Sequence, residues 1–255
     1  MEHEYQSDYR GRVQNRKVGM DLLPMYALST ERYQNAVKNY VAYDRQVEML
    51  NTRMPVDRQL HIICNQTTLS EAGTRRYFSR LDSLTDQINR ERNHQEMLSL
   101  ILQRAVAYSV IQNYEGAIED LTTYILEDSL SSIAYWQRAV CQSRLNEFNA
   151  AQGTDVKLQT ARVLADLTEA IRLNSHSAYL YYNRGNVYAQ RHDYAHAIDD
   201  YNRAIELDQH LAEAYYNRGL TRFTLKQQSE GTADLSKAGE LGLYQAYSII
   251  KQTRK

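Results

Sequence analysis

The chain has 255 residues, 30 basic against 31 acidic, and a formal net charge of −1. That length suits one or two domains with a sizeable core, and the charge balance argues against a nucleic-acid-binding surface. No apolar run reaches the roughly 18 residues of a membrane span.

Tyrosine occurs 21 times and proline twice, a composition suited to many helices packed through bulky amphipathic side chains. Cys64 and Cys141 lack metal-ligand spacing and read as buried free thiols in preference to a disulfide. The first residues, MEHEYQSDYRGR, contain no apolar signal-peptide core. The expectation is a cytoplasmic protein if the chain is complete, and a cell-envelope or periplasmic one if it is a piece of an exported parent.

In chain order, residues 12–22 alternate towards their end and predict a strand, which Pro24 terminates. Residues 33–50 fit a helix in part and an extended segment in part. Leu60, Ile62 and Cys64 alternate with His61 and Ile63, which predicts a short strand, apolar on both faces and therefore covered. Residues 70–92 predict a helix: Tyr77, Leu81, Leu84 and Ile88 form one seam, with Thr68 or Ser70 as N-cap. Residues 1–93 are thus expected to form a small α+β cap.

From there the chain repeats. Arg104, Arg138, Arg184 and Arg218 are spaced 34, 46 and 34 residues apart, and Asp120, Asp166, Asp200 and Asp234 show the same three spacings. Two series sharing one offset define four units, 98–131, 132–177, 178–211 and 212–245, the second with a 12-residue insertion at 149–160. A fixed period of this size marks a solenoid of helical hairpins. Within one unit Tyr181, Gly185 and Tyr188 share a helical face, and Tyr194, Ala197, Ile198, Tyr201, Ala204 and Ile205 form a second stripe. Gly185 and Ala197 are small where two helices approach, and the tyrosines fill the remaining space. One such hairpin has too little core to stand alone, so copies stack.

Thr154 or Asp155 is expected to cap a second helix lengthened by two turns or so in the 132–177 unit. In the last unit Gly231 stands where Ala197 stood, Gln228 replaces the aromatic, and Gly239 and Gly242 weaken the second helix. A capping helix over 243–251 is expected to cover the core end through Tyr247, Ile249 and Ile250.

Gly185 and Gly219 with Ala197 and Ala204, and the run YYNRG twice over, resemble the tetratricopeptide repeat family, in particular its members in Bacteroides-like bacteria. The resemblance covers about 60 per cent of the chain. It implies a mainly α fold, an α-α superhelix of four hairpins with a capping helix, behind the small α+β region. It also implies that the first helices line a concave groove. By position that wall comprises Trp136, Tyr179, Tyr182, Asn183, Asn186, Tyr216, Asn217, Leu220 and Phe223, with Leu102, Gln103, Gln137 and Val140. The family's carboxylate clamp for chaperone tails is matched by Asn186 and Asn217 but not at Tyr182, which stands in a lysine place. The expected function is therefore non-catalytic: a scaffold that binds a neutral, partly apolar protein or peptide. The alternatives are a structural spacer within a longer polypeptide, or an enzyme with a site in the N-terminal region.

No phosphate-binding loop, nucleophile elbow or HExxH motif occurs, and no cofactor is implied. His192 and His196 have a metal-compatible spacing, but His192 falls in a turn and no third ligand is evident, so no metal site is expected. Asp199 and Asp200 point in different directions on one helix and cannot act as an acid–base pair. The Arg and Asp series are expected to pair between the helices as a structural ladder.

Overall fold

The computed structural model describes residues 26–28, 62–64, 71–153, 155 and 157–253. Two short strands, β1 (Tyr26–Leu28) and β2 (Ile62–Cys64), pair antiparallel with Ala27 opposite Ile63. β2 falls within the expected strand at 60–64; the strand expected at 12–22 and the segment 33–50 lie outside the described residues.

The remainder is helical. α1 spans Glu71–Arg90, α2 His94–Val110, α3 Tyr114–Glu127, α4 Ser132–Ala151 and α5 Lys157–Leu173. α6 spans Ala178–Gln190, α7 Tyr194–Leu207, α8 Ala212–Thr224, α9 Gln228–Glu240 and α10 Gln245–Thr253. None of these helices is long and apolar enough to cross a membrane. Two compact parts can be distinguished, residues 24–187 and the chain from Tyr188 onward. That division falls inside α6.

In the first part, α1 lies on α2: Leu81 and Leu84 pack with Ala107, flanked by Tyr77, Leu100, Tyr108 and Ile111. The first repeat opens four residues before Leu98, because the Asn93 side chain accepts from the backbone N–H groups of Gln95 and Glu96 and caps α2 there. Cys141 is fully buried as a free thiol, and burial pushes its pKa to about 12. Cys141 is therefore expected to react with an aromatic disulfide reagent only after unfolding, which titration in a Cys64→Ser background with and without denaturant will check.

The insertion is shared out differently from the expectation. α4 has 20 residues where α6 has 13, and α5 has 17 where α7 has 14. Most of the added length therefore extends the first helix, not the second. The turn explains why. Gln112, His192 and Lys226 occupy equivalent turn positions and all have left-handed φ values of 65°, 62° and 63°. The same place in the second repeat is Asn146, which stays inside α4. The helix runs on until Gly153, at φ 84°, ends it, with Gly153 N–H donating to Ala150 C=O. Asp155 then accepts from the Lys157 N–H at the head of α5.

In the second part, Leu235, Ala238, Leu243, Ala246, Ile249 and Ile250 form one core with Tyr216 and Leu220. α10 closes its end, as the sequence suggested, through Ile249 and Ile250. Tyr247 remains exposed, its ring lying over Gly239, where a Cβ would meet the ring at 2.5 Å. Gly219 and Gly231 face one another across α8 and α9: a Cβ on either would meet the other's carbonyl oxygen at 3.1 or 3.0 Å.

Candidate functional site: the first-helix wall and its arginine ties

Three first helices, α2, α4 and α8, carry an arginine in the same setting. Arg104 forks onto Asp120, with Nε and Nη2 donating to its two carboxylate oxygens at 2.8 and 2.7 Å. Arg138 does the same to Asp166 at 2.8 and 2.7 Å, and Arg218 to Asp234 at 2.9 and 2.6 Å. These are two-pronged charge-assisted bonds, the geometry guanidinium favours. Burial pushes Asp120 and Asp166 above the usual carboxylate range, while the Asp120 carboxylate holds Arg104 above its ordinary value. Asp234 accepts a further bond from Arg222 Nη1 at 2.7 Å. Arg184 lies in the first part and Asp200, buried, in the second.

The remaining prong of each arginine reaches backward. Nη1 of Arg104, Arg138 and Arg184 donates to the hydroxyls of Thr85, Thr122 and Thr168, at 3.1, 3.3 and 3.3 Å. Nη1 of Arg218 donates to Asn202 Oδ1 at 2.6 Å. Each acceptor sits on the helix before the arginine's own first helix. Sequence reading missed these partners, although a signal exists: Thr122, Thr168 and Asn202 each stand two residues after the recurrent Asp. Thr85 places α1 in the role of a second helix ahead of the first repeat. A tyrosine ring flanks every guanidinium: Tyr108, Tyr135, Tyr181 and Tyr215, with centroids 5.4 to 5.9 Å away.

The residues assigned to the groove wall lie inside. In the first part Trp136 is 4% exposed, Tyr182 and Asn183 0%, and Asn186 2%; Leu102, Gln103, Gln137 and Val140 are also buried, and Tyr179 partly so. Gln137 Nε2 donates to Ser109 Oγ on α2 at 2.9 Å. In the second part Tyr216, Asn217 and Leu220 are buried and Phe223 half-buried. Among the described residues, Trp136 Nε1 is a buried donor without an acceptor, an uncommon state for a buried polar group.

The histidines turn to separate partners. His192 Nδ1 lies 2.8 Å from Tyr194 Oη, while His196 Nδ1 lies 2.8 Å from Asp193 Oδ2 and its ring stacks on Tyr188. Asp193 also caps α7, and its bond to His196 holds its carboxyl below the usual range. No group of three metal-ligating side chains occurs among the described residues.

Comparison with known proteins agrees with this architecture. A sequence profile described as TPR repeat matches residues 185–226. No curated protein matches the chain. Among solved structures, the crystal structure of MamA superposes with a TM-score of 0.57 at 20% identity, over 71% of this chain and 99% of that one. MamA 41-end from Desulfovibrio magneticus RS-1 gives 0.56 at 16% identity, over 68% of this chain and 92% of that one. TTC0263, a thermophilic TPR protein of Thermus thermophilus, gives 0.52 at 16% identity, over 81% of this chain and 99% of that one. The chain therefore carries tetratricopeptide repeat sequence and shares the fold of these proteins.

Proposed function

We propose that the chain is a non-catalytic scaffold whose first helices recognise an extended, uncharged and partly apolar segment of a protein or peptide. The observation that carries this reading is Trp136: a large ring on α4 whose indole N–H has no acceptor among the described residues. An extended peptide offers a carbonyl every residue, and a large aromatic surface supplies contact area beside it. The first helices of the same part also carry the carboxamides Gln103, Gln137, Asn183 and Asn186. The absence of lysine from the place held by Tyr182 disfavours a C-terminal carboxylate. The repeated YYNRG run keeps the likeness to repeats of Bacteroides-like bacteria as part of this reading. A spacer role would leave the indole N–H unexplained.

The test uses peptides selected from a displayed library of neutral sequences. Trp136→Phe keeps the ring's bulk and removes the donor. Affinity is expected to fall about tenfold, the worth of roughly one good hydrogen bond. Equal affinity for parent and variant would sink the proposal.

A further inference from the structure

The helices of the first part are not enclosed alike. Buried residues on α3 are Ala117, Asp120, Leu121, Tyr124 and Ile125, a single stripe. On α2, by contrast, every residue from Leu98 to Ala107 is buried except Leu100 and Arg104. On α4 every residue from Ser132 to Cys141 is buried except Tyr135 and Arg138. A helix buried all round needs neighbours all round, and these helices bury polar side chains too: Ser99, Gln103 and Gln137. β1 supplies a neighbour from outside the repeats, running beside α4 with Cα atoms within 8 Å.

We propose that β1 is the resident occupant of the α4 wall, so that a strand of the chain's own N-terminal ribbon lies where a partner segment binds, and the partner enters by displacing it. The identity of the competitor rests on the peptide-wall reading above; the resident contact does not. Two features make the strand exchangeable. A ribbon of two three-residue strands has little stability of its own. Trp136 Nε1 also finds no acceptor with the strand in place, so a segment that presents a carbonyl there gains a bond the resident lacks. The ribbon thereby sets a threshold: weakly matched peptides are excluded and well-matched ones pass.

Trp136 is the chain's single tryptophan, so its fluorescence reports this wall alone. Acrylamide quenching is measured on the full chain, on Ala27→Pro and on Ile63→Pro, which disrupt either strand, with helical circular dichroism as the control for folding. Both variants should raise the quenching constant about threefold, as local opening exposes the ring, at unchanged helical signal. As a measurement that leaves the ribbon intact, a nitroxide on Ala27→Cys in a Cys64→Ser background should quench Trp136, and a diamagnetic analogue of the label should not. Unchanged quenching in the proline variants, or no effect of the nitroxide at residue 27, would overturn the resident strand. Peptide affinity separates the two ideas: it should rise in Ala27→Pro. If Trp136→Phe leaves peptide affinity untouched while the quenching results hold, the peptide wall fails and the resident strand stands.

Discussion

Arg138→Ala should lower stability by about 3–5 kcal/mol, because it leaves Asp166 buried without its counter-charge. The carboxylate has little else to turn to. Its side chain is 8% exposed, and both oxygens are held by one guanidinium. Urea unfolding followed by Trp136 fluorescence reads the same repeat, since the ring lies two positions from the substituted residue. The sign of the pH dependence follows from burial, which raises Asp166 in the native state. Without Arg138 the native pKa rises further, so the folded form takes up a proton more readily than the unfolded form. Stability is then favoured below the unfolded pKa and lost as pH rises through the folded one. The deficit should therefore be largest at about pH 7 and shrink towards about pH 4.

Two controls discriminate among causes. Arg218→Ala should cost less than Arg138→Ala, because Arg222 still donates to Asp234. Arg138→Met combined with Asp166→Leu should be close to neutral, since an apolar pair of similar volume avoids the desolvation cost. A deficit in the double variant as large as that of Arg138→Ala would show that the ion pair is not the source.

The second large effect is expected at the crossing of α8 and α9. Gly231→Val should destabilise by about 3 kcal/mol through overpacking. A single Cβ there already meets the Gly219 carbonyl oxygen at 3.0 Å and the Phe223 ring at 3.1 Å. Phe223 can shift, but the carbonyl belongs to a helix backbone and cannot. Replacing glycine in a helix interior ordinarily gains up to about 1 kcal/mol in propensity, so a net loss isolates the steric cost. Thermal unfolding of Gly231→Val beside Gly231→Ala measures it; a variant as stable as the parent would show that the two helices part freely.

The repeats were legible because two independent residue series share one offset, and each marks a buried, directional contact that tolerates few alternatives. The carboxylates of Asp120, Asp166 and Asp234 were readable for the same reason. Its hydroxyl and amide acceptors were not singled out, since Thr122, Thr168 and Asn202 differ in type while performing one task. The length of α4 was misread because a helix end depends on backbone handedness. Where three repeats turn at a left-handed residue, the second places Asn146 within the helix, and only Gly153 stops it. The wall residues were identified by face, but a face does not disclose what lies over it. Burial of Trp136 and Tyr182 emerges only when elements far apart in sequence are assembled.

The backward reach of each guanidinium gives the stack a polarity. Arg138 reaches back to Thr122, and Arg218 to Asn202. Each tie is lost from whichever side the chain is peeled, but the group left behind differs. Departure of the following hairpin uncovers a small threonine or asparagine oxygen, which water can satisfy. Departure of the preceding one leaves a single guanidinium N–H uncovered, while the same guanidinium stays forked onto its own aspartate. Direction is thus written in the chemistry of the exposed group, not in the number of bonds broken.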